Sequence, residues 1–142
     1  MPSMLNTAQR SSLAIVLRMF EGQLRQADAW LQDGSEDGIL YRRVLRLPPE
    51  ARAALRGQVA TALAEIAELA QAFDLEPEEE DLAAAMAAAM SVSWASLCDS
   101  RSERLRRFGD VDPALREVLD PRIERLADLA LSLASMLRGP CA

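Results

Sequence analysis

A chain of 142 residues suits one domain, here residues 1–142, and can bury a core without disulfides or metal. Half of it is hydrophobic but only 4% is aromatic, and the apolar mass is Ala and Leu, which favours helices and speaks against sheets. The formal net charge is −6 and all 16 basic residues are Arg, a poor global match for nucleic acid or an anionic membrane.

The first helix is predicted from about Thr7 to Gln32, with Asn6 or Thr7 as its cap. Leu13, Leu17, Phe20, Leu24, Ala27 and Leu31 alternate steps of four and three, which places them on one face. Ile15, Val16, Met19 and Trp30 widen that face, as a helix with two neighbours requires. Asp33 to Gly38, with two glycines and short polar side chains, reads as a loop. Ile39 to Leu47 reads as a short helix or an extended arm that docks Ile39, Leu40, Val44 and Leu47 on the core.

Pro48-Pro49 opens the second helix, which runs to about Phe73 with Leu55, Val59, Ala62, Ile66, Leu69 and Phe73 inward. Asp74 to Pro77 makes a turn. Glu78 to Asp81 then open the third helix, where acids offset the positive end of the helix dipole. This helix carries Leu82, Met86, Met90, Trp94 and Leu97 along one side. It ends between Asp99 and Phe108, with a break allowed near Ser100 and Gly109 as a left-handed cap. Asp112-Pro113 starts a short helical turn. Asp120-Pro121 starts the last helix, which runs to about Arg138 with Ile123, Leu126, Ala130, Leu133 and Leu137 inward, and Gly139-Pro140 ends it. The expected fold is therefore all-α: an antiparallel up-down-up-down four-helix bundle with a short extra helical turn before helix 4.

The residue inventory excludes much chemistry. With no His, the usual general base, the Ser-His and Cys-His pairs and the commonest metal ligand are absent. With no Lys, so are a Schiff-base nucleophile and a P-loop. The acidic run Glu76 to Asp81 lacks the ligand spacing of a calcium loop, and Glu65 with Glu68 reads as a solvated face. No catalytic residue, cofactor or metal site is expected. Cys98 lies in an apolar stretch and Cys141 is penultimate; no disulfide framework follows, so a reducing, cytoplasmic setting is expected. Arg18 interrupts the apolar run from Leu13 to Phe20, which speaks against a secretory signal. Leu82 to Cys98 is uncharged but too rich in Ala and Ser for a membrane span.

Two surface features remain. Ala dominates the start of the third helix, so that Met86, Met90 and Trp94 read either as internal packing or as a seam between two copies. Arg42, Arg43 and Arg46 precede the second helix, and Arg104, Arg106 and Arg107 follow the third. In an up-down-up-down bundle the two groups share one end, either paired with nearby acids or recognising an anionic group or partner segment. The function expected is a non-enzymatic interaction module, homodimeric, that binds a protein partner. The alternative is a regulatory bundle holding a small apolar or anionic ligand, and the third reading is an enzyme working through carboxylates and Arg.

Overall fold

The computed structural model describes residues 4–139, so Pro140 and Cys141 lie outside the described residues. The chain is all-α apart from one small hairpin. Its elements are α1 Thr7–Asp33, β1 Ser35–Asp37, β2 Arg42–Val44, α2 Pro49–Ala72, α3 Leu82–Cys98, α4 Ser102–Leu105 with a 3-10 turn at Arg106–Phe108, and α5 Leu115–Arg138. Two compact units divide the chain, Met1–Glu78 and Glu79–Ala142. The first is built on the α1–α2 pair and the second on the α3–α5 pair. Among the described residues, no single helix is long and apolar enough to cross a membrane.

In the first unit, α1 opens with a capping box. The Gln9 N–H donates to Asn6 Oδ1 at 2.8 Å, and the Asn6 N–H donates to Gln9 Oε1 at 3.0 Å. α2 runs antiparallel to it, as two cross-links one helical turn apart show. The Arg52 guanidinium donates to the carbonyls of Leu31 and Gln32, and Arg56 pairs with Asp28 at 3.0 Å. Between them Leu24, Leu31 and Val59 are buried, flanked by Leu45, Ala62, Leu63 and Ile66. The predicted faces of both helices thus meet, although Phe20 and Leu55 stay on the exposed edge.

Arg52 has a structural task. The last carbonyls of a helix have no partner within it, and the guanidinium fork supplies donors to two of them. Arg52→Ala is expected to lower stability by about 1–2 kcal/mol, read as a lower urea midpoint. An unchanged midpoint would show that water replaces the fork without loss. α2 ends on Asp74, a non-glycine residue in the left-handed region (φ +53°), with the Leu75 N–H bonded back to the Ala70 carbonyl at 2.8 Å.

The segment after α1 corrects the sequence reading. It is neither a helix nor an arm docked along its length, but an antiparallel hairpin pairing Ser35 with Val44, Glu36 with Arg43 and Asp37 with Arg42. Leu45 does pack against the core. Ile39 and Leu40, read as core residues, stand at the tip and are 100% and 97% exposed. The turn is closed by the Gly38 N–H on the Tyr41 carbonyl at 2.8 Å. The Tyr41 ring lies so close over Gly38 that a Cβ there would sit 2.4 Å from it, so a larger residue requires the half-exposed ring to move aside.

In the second unit, α3 is capped by Asp81, whose carboxylate accepts from the Ala84 N–H at 3.1 Å. The acids from Glu76 to Glu80 lie ahead of the helix rather than in its first turn, and Glu78, the last residue of the first unit, pairs with Arg18 of that same unit at 2.9 Å. α3 and α5 run antiparallel, held by Ser91 with Arg138 and, further on, by Arg101 with Glu124. Their contact is made of alanine: Ala87, Ala127, Ala130 and Ala134 are buried, Ala87 to 1% and Ala134 to 0% exposure. Small side chains let two helices approach near the lower end of the usual 8–10 Å. The predicted inward residues Leu126 and Leu133 are displaced to the flank and stay exposed.

Two boundaries differ from expectation. The break allowed near Ser100 is real, and Gly109 (φ +144°, ψ 175°) takes a positive φ that favours glycine but not the left-handed helical cap. The extra turn and the last helix are one element, with Pro121 inside it. Asp120 is therefore not a cap of its own helix. Its carboxylate accepts from the Ser102 N–H at 2.7 Å and the Ser102 hydroxyl at 2.9 Å, and so caps α4 from outside.

Candidate interaction surfaces

The hairpin neutralises most of its own arginines. Arg43 lies 3.0 Å from Glu36 and Arg42 3.4 Å from Asp37, each the partner across the ladder. The Arg43 guanidinium also lies 4.9 Å from the Tyr41 ring centre and 5.9 Å from that of Trp30, within cation–π range. Arg46 is exposed and without an ion pair among the described residues. At the base of the hairpin is a hollow of about 300 Å³ lined by Trp30, Gly34, Ser35, Arg43, Val44 and Leu45.

Arg104 and Arg106 belong to the second unit, on the wall of an open cleft of about 760 Å³ between the α4 segment and α5. Arg101 and Arg116 join them, but so do Glu103, Asp112, Asp120 and Glu124. Arg101 and Arg104 reach carboxylates only at 3.8 and 3.9 Å, long contacts on exposed groups. Asp112 accepts from the Ala114 N–H, and Asp120 is held by Ser102. Four arginines against four carboxylates make this a balanced polar cleft, not a single-sign anion site. Arg107 is not in it, and stacks instead 5.3 Å from the Phe108 ring centre. The six arginines of the predicted patch are thus divided between the two units, three in each.

Apolar helix faces are the larger feature. Along α5, Leu126, Leu129, Leu133 and Met136 follow steps of three, four and three, and all are exposed, Leu129 to 53% and Met136 to 76%. That spacing is the heptad seam of helix-on-helix packing. Arg122 and Arg125 each stand four residues ahead of a member of this row, exposed and without an ion pair among the described residues. On α1, Ile15, Val16, Met19 and Trp30 are likewise exposed. Of the predicted seam on α3, Met86 and Trp94 are exposed while Met90 is half-buried.

The α5 row is not evident from the sequence, because Leu126 and Leu133 fit an inward stripe equally well. The heptad spacing was visible, but not which of two adjacent stripes met α3. Cys98 is a half-buried free thiol. Among the described residues, no group of three His, Cys, Asp or Glu side chains is placed to hold a metal ion. No family model, curated protein or solved structure matches the chain.

Proposed function

We propose that this chain is a non-enzymatic helical interaction module, homodimeric, that receives an amphipathic helix of a protein partner along α5. The observation that carries this reading is the exposed row Leu126, Leu129, Leu133 and Met136 with its heptad spacing. Another helix of the same period fits such a row side chain by side chain and removes it from water. Arg122 and Arg125 at its margin set the chemistry of the occupant: an apolar stripe with Asp or Glu along its edge.

A fluorescent helical peptide with leucine at heptad seam positions and glutamate beside them is the probe. Its anisotropy titration should saturate with the native chain, and Leu129→Glu should weaken binding by roughly tenfold to a hundredfold, the worth of one buried leucine. Equal affinity for both proteins, or no saturation with either, overturns the reading.

A further inference from the structure

We propose that the homodimer is made by exchange of hairpin tips: Ile39 and Leu40 of each copy enter the Trp30–Val44–Leu45 hollow of the other. This contact rests on the homodimeric reading above and gives it a location.

The tip is unusual for a turn. Turn positions ordinarily carry Gly, Asn, Asp or Ser, yet here two bulky aliphatic side chains stand almost wholly in water. They are held there firmly, because Gly38 and Tyr41 close the turn by backbone bond and ring contact. A preformed apolar tip loses little freedom when it docks.

The receptor lies on the same hairpin. Its hollow of about 300 Å³ has apolar walls of Trp30, Val44 and Leu45, with Arg43 beside the Trp30 ring and Gly34 and Ser35 completing it, and Trp30 and Val44 are themselves exposed. The tip does not fill its own hollow, since Ile39 and Leu40 are almost wholly exposed. Leu40 and Val44 are four residues apart along an extended chain, about 13 Å at 3.3 Å per residue. A second copy related by a two-fold axis has no such restriction, since knob and hole on one surface are what a self-complementary contact requires.

Charge agrees. Around the tip and the hollow stand Asp33, Glu36 and Asp37 with Arg42, Arg43 and Arg46. Arg42 and Arg43 are already paired with Asp37 and Glu36 inside one hairpin, which leaves Asp33 and Arg46 and no single-sign surface to repel a second copy. The hairpin also gains support. Two strands alone are marginal in water, and every residue of β1 and β2 is exposed.

Sedimentation of the full chain at high micromolar concentration tests the contact, with circular dichroism confirming that each variant keeps its helices. The native chain should sediment as a dimer. Ile39→Ser/Leu40→Ser removes the knob and Val44→Arg fills the hole, and each should weaken dimerisation by more than about a hundredfold. Mixing the two variants restores one of the two contacts, so the mixture should associate measurably where neither variant does alone. If both variants remain dimers, or if the mixture fails to associate, the tip exchange is overturned while the homodimeric module stands. A native chain that sediments as a monomer overturns both.

Discussion

Replacing Ala134 by leucine is expected to cost about 3 kcal/mol of stability, the upper part of the range for overpacking a tight core. Ala134 has no exposed surface and lies in the α3–α5 contact with Ala87, Ala127 and Ala130. Helices in contact through methyl groups have no space for an isobutyl group unless they separate, and separation uncovers every other alanine of the seam. The measurement is the urea midpoint at unchanged slope. The paired variant Leu133→Ser, one residue away on the exposed flank, should stay within about 0.5 kcal/mol. Equal losses from the two would mean that the Ala row is not the contact.

The second large effect is expected at Asp120. Ser102 is 6% exposed, and both its N–H and its hydroxyl donate to the Asp120 carboxylate. Asp120→Ala leaves two buried donors without a partner, at a combined cost of about 3 kcal/mol. α4 should come loose from α5 in consequence. Hydrogen exchange at the Ser102 amide reports this directly, as does the melting temperature. Asp120→Asn keeps one acceptor oxygen and should lose about half as much. A Ser102 amide that stays protected in Asp120→Ala would disprove the cap.

The same residue shows where sequence reasoning stops. Asp120-Pro121 has the chemistry of a helix start, and although Asp112-Pro113 signals a helical turn, nothing in the sequence says that this turn continues through Pro121. Which donor the Asp120 carboxylate meets is decided 18 residues away, by Ser102. By contrast, α1 and α2 were legible because caps and apolar period are local: Asn6 with Gln9, Pro48-Pro49, and the rows through Leu24, Leu31 and Val59. The third and last helices were legible as helices, and Ala130 as inward, but the full rotation was not. Weight by hydrophobicity selects Leu126 and Leu133, whereas close approach of two helices selects Ala127 and Ala134. Ile39 and Leu40 failed for a related reason. An apolar pair reads as core, and only the Gly38–Tyr41 closure puts it at a tip. The arginines were visible at once, but not that Glu36 and Asp37 would face two of them across a ladder.

Pairing α1 with α2 inside Met1–Glu78 also bears on how the protein is made. Every partner that the first helical pair needs leaves the ribosome ahead of the later helices. That half can therefore close while synthesis continues, because contacts between segments near in sequence form sooner than distant ones. Ile39 and Leu40 would then stand in water, already fixed at the tip of a formed hairpin, while the later helices are still emerging.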